Sequence, residues 1–222
     1  MNFIFMLTRH DQTIEDCLEV MEAIEPVGLA HVGFKDVGVD VGTLKKLNQR
    51  IKKRGATSYM EVVSTSKEAC LRSARAAVEI GVDRLLGGTD VSEVLKILDG
   101  TGIGYYPFPG IPSGHPTRLG GNPGQIAEHC RNFLEAGCAG VDLLAYRATE
   151  ADPIDLVRAA RGALSNAELI VAGSVDSPRQ IRALAEAGAD AFTIGSAVFD
   201  GSFSPSKGAI TSQLRDVLEA CK

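Results

Sequence analysis

Short apolar runs alternate with stretches of helical periodicity from one end of the chain to the other. The runs lie at Phe3–Thr8, Leu29–Lys35, Thr57–Val63, Asp83–Gly87, Ile103–Phe108, Val141–Tyr146, Leu169–Gly173 and Ala191–Gly195. Their length and their Val, Ile, Leu and Tyr content fit buried strands. Between them, segments such as TIEDCLEVMEAIE and SKEACLRSARAAVEIG carry apolar residues at helical spacing. Eight strand–helix units predict an α/β fold, a (β/α)8 TIM barrel of eight parallel strands occupying residues 1–222 as one domain. An open doubly wound sheet is the rival, but the turn after the first strand, TRHDQT, holds none of the glycines that such a sheet often places there. Three segments repeat one pattern: EIGVDRLLGG, EAGCAGVDLLAY and EAGADAFTIGS. In each a helix closes on a glycine (Gly81, Gly137 or Gly188), suited to a left-handed cap, and a turn, an Asp and a strand follow.

Composition narrows the class. Of 222 residues, 45% are hydrophobic, enough for a sizeable core. Twenty-eight acids against 23 bases give a net charge of −5, so a nucleic-acid partner is not expected. The densest basic segment, KKLNQRIKKR, has Leu44, Leu47 and Ile51 at helical spacing and reads as the solvated face of a helix. No run approaches the ~20 apolar residues of a membrane span, and the N-terminal segment lacks the marks of a secretory signal. Five cysteines without CxxC spacing suggest reduced thiols in a cytoplasmic protein, with no metal site. No cofactor motif is evident, and a homo-oligomer remains open.

Two strand ends share a feature. VAGSVDS places Gly173-Ser174 at the end of the seventh strand, and TIGSAVFDG places Gly195-Ser196 at the end of the eighth. Glycine lets an anion approach backbone N–H groups, serine adds a hydroxyl donor, and the following helix start adds its positive dipole end. In a barrel these neighbouring loops face one point, a frequent phosphate site. The segment LIVAGSVDSPRQIRALAEAGADAFTIGSAVF resembles the terminal quarter of the ribulose-phosphate-binding barrel superfamily, which includes histidine-biosynthesis isomerase and cyclase barrels. Those proteins typically read GGI after strand seven; this chain has Gly173-Ser174-Val175. The resemblance implies a phosphate held by Gly173, Ser174, Gly195 and Ser196. Its catalytic acids do not carry over, since the fifth strand ends YYPFPG and Asp11 stands late after the first. MEVVSTSKEACLRSARAAVEIG is similar to a unit of small transaldolase-type sugar-phosphate aldolases, but their strand-four lysine has no counterpart in DRLLGG.

Alternation sorts the strand residues into faces. With Ala30, Val32 and Phe34 turned to the helices, His31, Gly33 and Lys35 face the barrel interior. By the same argument Tyr59 and Glu61 face inward, as do Asp142, Leu144 and Tyr146. Lys35 and Glu61 then stand at the catalytic ends of adjacent strands, either as a structural ion pair or as an acid–base pair. Partial desolvation would draw the lysine toward neutrality, fit for acid–base work or imine formation. His31 and Asp142 lie deeper and are expected to be hydrogen-bonded interior groups. One of Arg9, His10 and Asp11 is expected in the site. Arg147 is an anion clamp or an ion-pair partner. The long segment Pro109–Gly124 carries His115 and Arg118 and reads as a lid whose residues contact substrate. These features suggest an enzyme that moves a proton next to the carbonyl of a small phosphorylated sugar or sugar acid: an isomerase, aldolase or decarboxylase. An FMN-binding oxidoreductase barrel and a non-catalytic phosphometabolite binder are the alternatives.

Overall fold

The computed structural model describes residues 1–64 and 66–222. Eight parallel strands follow one another around a barrel: β1 (Asn2–Met6), β2 (His31–Lys35), β3 (Thr57–Glu61), β4 (Arg84–Leu86), β5 (Gly104–Tyr106), β6 (Gly140–Leu143), β7 (Glu168–Val171) and β8 (Ala191–Ile194). The ladder runs without a break from β6 through β7, β8 and β1 to β5. Two backbone bonds close the remaining seam: Ala139 N–H to the Tyr105 carbonyl at 3.0 Å, and Asp142 N–H to the Pro107 carbonyl at 3.1 Å. Helices α1 (Cys17–Ala23), α2 (Val41–Lys53), α3 (Lys67–Ile80), α4 (Val91–Leu98), α5 (Pro123–Ala136), α6 (Pro153–Leu164) and α7 (Pro178–Ala187) follow the first seven strands. A four-residue turn of helix, α8 (Ser196–Phe199), and the final α9 (Ile210–Ala220) follow β8. Gly81, Gly137 and Gly188 take the left-handed cap expected of them, with φ of 76°, 99° and 94°. Among the described residues no helix is long and apolar enough to cross a membrane.

The two faces of the strands build two separate cores. Outward residues such as Phe5, Val32, Phe34, Met60, Val141 and Leu143 pack under the helices in the larger one. Ile4, Met6, Tyr59, Leu86, Tyr106, Ile170 and Ala191 fill the barrel interior. Gly33 faces Met6 in register, and a side chain there would strike the Met6 sulfur. The inward assignments of His31, Gly33, Lys35, Tyr59, Glu61 and Asp142 hold. Those of Leu144 and Tyr146 do not. β6 ends at Leu143 and turns into a 3-10 segment, Ala145–Arg147, so the two-residue alternation stops and Leu144 joins the outer core. At the barrel floor, Tyr106 Oη donates to Glu168 Oε2 at 2.6 Å, and the Tyr59 hydroxyl meets His31 Nδ1 at 3.0 Å.

Phe5 is fully buried on the outer face, its ring 6.3 Å from Phe3 and 5.5 Å from Phe199. Phe5→Ala is expected to lower unfolding stability by about 3–5 kcal/mol, the usual range for an aromatic removed from a packed core. A urea midpoint that drops at unchanged slope would register it.

Candidate active site

Lys35 and Glu61 are partners across the β2–β3 ladder, so both side chains leave the sheet on the interior face at the C-terminal ends of their strands. Lys35 Nζ lies 3.3 Å from Glu61 Oε1 and 2.6 Å from Asp11 Oδ1. Asp11 is delivered by a small hairpin after β1, in which Thr8–Arg9 pairs with Gln12–Thr13. His10 and Asp11 form its turn, both left-handed at φ 49° and 59°. Type I′ hairpin turns demand this backbone, and Asp tolerates it better than most residues. The hairpin is bolted to β2, since the Thr13 hydroxyl donates to the Lys35 carbonyl and accepts from the Lys35 N–H, each at 2.8 Å. Arg147, from the turn after β6, brings Nη2 to 3.1 Å from Asp11 Oδ1 and Nη1 to 3.4 Å from the Thr117 carbonyl.

The four charged side chains set one another's state. Burial alone would lower the Lys35 pKa, but Glu61 and Asp11 outweigh it and hold the ammonium above its usual range. The expected drift of Lys35 toward neutrality does not occur, because a second carboxylate, Asp11, joins the pair. Burial would raise Asp11, yet attraction and hydrogen bonding from Lys35, with Arg147, bring it down to about 2. Asp142 differs. It is fully buried, and neither carboxyl oxygen finds a hydrogen-bond donor among the described residues, contrary to the hydrogen-bonded role expected of it. Burial and then the Glu61 carboxylate push its pKa well up, offset only in part by Lys35 and Arg147.

A cavity of about 310 Å³ opens over this cluster, lined by Lys35, Glu61, Asp11 and Arg147 on one side and by Gly173, Ser174, Gly195 and Ser196 on the other. The two Gly-Ser pairs therefore share one space with the charged group. A side chain at Gly173 would strike Arg147, and one at Gly195 would stand 2.7 Å from the Thr8 hydroxyl, so both glycines permit close packing at the rim. Asp176 and Asp200 also face the cavity.

Arg9 stays outside: it pairs with Asp200 at 2.9 Å and lies over the Phe199 ring, neutralising an acid at the rim. His10 is exposed and lines a broader outer cleft of about 740 Å³, together with Arg118, Tyr146 and Arg147. Pro109–Gly124 contains a second hairpin, Ile111–Ser113 against Arg118–Gly120. It is tied down by buried Leu119, whose carbonyl accepts from Thr149 N–H at 3.0 Å. His115 lies in its exposed tip and lines neither cavity. A larger cleft of about 860 Å³ sits at the opposite rim, between α1 and α2. Its Arg50 and Arg54 are already paired with Glu22 and Glu25, so it presents no comparable set of convergent groups.

No protein-family model matches the chain, and no curated protein matches it in sequence. Solved structures do match. Orotidine 5′-phosphate decarboxylase from Pyrococcus horikoshii OT3 superposes with a TM-score of 0.70 at 10% identity, covering 99% of this chain and 98% of that one. A structure described as native KDPGal gives 0.68 at 16% identity over 99% and 96%. 3-Hexulose-6-phosphate synthase gives 0.67 at 15% identity over 100% of both. At such identities the likeness is one of fold: the chain is a (β/α)8 barrel along its whole length.

Because Asp11 is depressed in the folded state, it stabilises the fold above its unfolded value of 3.8, and that contribution is lost as the pH falls toward 2. Asp11→Asn is expected to cost on the order of 2 kcal/mol at pH 7. It should also flatten the decline in stability between pH 5 and pH 2, as followed by denaturant unfolding at each pH.

Proposed function

We propose that this protein is an enzyme that moves a proton on a carbon next to the carbonyl of a small phosphorylated sugar or sugar acid. One observation carries the reading: the Lys35 cluster and both Gly-Ser strand ends open into the same 310 Å³ cavity. That volume is at the small end of ligand pockets, as suits a phosphorylated compound of a few carbons. The phosphate would rest on the backbone N–H groups and hydroxyls at Gly173-Ser174 and Gly195-Ser196, with Arg147 between it and Asp11. Arg9 would limit the repulsion from Asp200. Phosphate binding anchors the substrate so that the reacting end meets Lys35 and Glu61. Two of the proteins sharing the fold, the decarboxylase and the synthase, carry a phosphorylated compound in their names, which supports the kind of substrate.

In this reading Glu61 takes the proton from carbon. The Lys35 ammonium faces the carbonyl oxygen and stabilises the charge that develops there. Isomerisation, aldol cleavage and decarboxylation share such an enolate. An imine needs a neutral amine, whereas two carboxylates hold Lys35 as the ammonium, so an acid and electrostatic role is favoured over a covalent one.

The test is deuterium exchange at carbon, read by NMR over a panel of phosphorylated ketoses and sugar acids in deuterated water. Lys35→Met and Glu61→Gln are each expected to slow exchange by roughly 10²-fold or more, the scale of a lost positioned acid or base. Ser196→Asp is expected to raise KM with little change in kcat, because it places a negative charge at the phosphate end alone. Borohydride with substrate should leave no adduct on Lys35. Undiminished exchange in Lys35→Met would defeat the assignment.

A further inference from the structure

The outer cleft, about 740 Å³, is more than twice the size of the cavity that holds Lys35, and the two meet along a shared wall. Asp11, Arg147, Ser174, Ser196 and Asp200 line both. A phosphate held at Ser174 and Ser196 would therefore stand in a doorway. Lys35 and Glu61 lie on one side of it, and the outer cleft lies on the other. A substrate that ended at its phosphate would leave the larger space unused.

Three separate segments wall the cleft, and they are tied together. His10 comes from the turn of the first hairpin, Tyr146 and Arg147 from the 3-10 turn after β6, and Thr117 and Arg118 from the second hairpin. Arg147 joins all three, because Asp11 of the first hairpin and the Thr117 carbonyl of the second are both within its reach. Leu119 pins the second hairpin further: besides the Thr149 N–H, the Thr149 hydroxyl donates to its carbonyl at 3.2 Å. Thr117 and Leu119 are buried, so Arg118 between them faces outward, and it lines the cleft.

Charge in the cleft is unevenly met. Asp11 is matched by Lys35 and Arg147, and Asp200 by Arg9, which leaves Arg118 without an acidic partner among the described residues. A guanidinium presents planar donors that suit two oxygens at once. We propose that the substrate carries a second anionic group, a phosphoryl or a carboxylate, beyond the phosphate, and that Arg118 receives it in the outer cleft with Tyr146 and His10 beside it. This rests on the reading of the Gly-Ser ends as the phosphate site. The reacting end enters the inner cavity, the phosphate occupies the doorway, and the second anion lies outside. Arg147, which lines both spaces, stands between the two anions. The substrate class narrows to a bisphosphate or a phosphorylated acid. Arg118 touches no reacting atom and acts on specificity.

Calorimetric titration at fixed ionic strength tests this with two kinds of probe. Propylphosphonate has one anionic end, and a series of α,ω-alkane bisphosphonates of increasing length has two. At least one bisphosphonate is expected to bind roughly tenfold tighter than propylphosphonate, the scale of one charge-assisted bidentate contact. Arg118→Ala should remove that gain and leave propylphosphonate binding as it was. Arg118→Glu should weaken the bisphosphonates further. Arg72, an exposed residue of α3, lines neither cavity, so Arg72→Ala removes the same unit of charge and should keep the gain. The second-anion site is overturned if Arg72→Ala costs as much as Arg118→Ala. Ser196→Asp separates this site from the phosphate reading, since it should weaken both kinds of probe. If propylphosphonate binds and is weakened by Ser196→Asp while no bisphosphonate gains over it, the second site alone falls. If propylphosphonate does not bind, or is indifferent to Ser196→Asp, the phosphate reading falls and takes the second site with it.

Discussion

The ammonium of Lys35 is the constraint around which the upper half of the barrel is arranged. A lysine that is 5% exposed at the end of an interior strand face is tolerable only if its charge is met. The chain meets it with Glu61, opposite in register on β3, and with Asp11, brought over from β1. The second carboxylate has a structural cost: a hairpin turn made of two non-glycine residues in the left-handed region. It also calls for a second cation. Arg147 supplies that and ties the turn after β6 to both hairpins of the rim. Neutrality, not any one contact, explains why these segments meet here.

Below that layer the interior changes character. Ile4, Met6, Leu86 and Ile170 are apolar, and the polar groups of the floor are satisfied locally, Tyr106 by Glu168 and Tyr59 by His31. The large apolar core lies outside the barrel, between strands and helices. The large apolar core and the charged cluster are thus separated in space. The outer core can hold the strands in place while the top of the interior carries charges that a packed core could not accept. Asp142 stands in register with Ile170 across β6 and β7, and neither of its carboxyl oxygens finds a hydrogen-bond donor among the described residues.

The two Gly-Ser strand ends and the ion cluster come from opposite ends of the sequence. They share a cavity because β8 pairs with β1, and β1 with β2. Barrel closure is what brings the two Gly-Ser strand ends and the Lys35 cluster to the walls of a single pocket.

Periodicity and local signals determined much by themselves. The order of the eight strands, the faces of β2 and β3, the glycine caps and the Gly-Ser strand ends all follow from patterns within a dozen residues, and there backbone geometry has little freedom. Where the local rule stopped, so did the inference: alternation misassigned Leu144 and Tyr146 because β6 ends at Leu143. Only the tertiary structure decided which residue after β1 enters the site. Arg9, His10 and Asp11 are adjacent in the chain, but Asp11 meets Lys35 across 24 positions and Arg147 across 136. The protonation of Lys35 was likewise out of reach of the sequence, since burial and charge push it in opposite directions and the number of carboxylates nearby settles the outcome. The same holds for Asp142. Its place in a repeated pattern resembled that of Asp83 and Asp190. Only three-dimensional closure showed that Ser58 N–H and Leu169 N–H donate to those two, while no donor reaches its own carboxyl among the described residues.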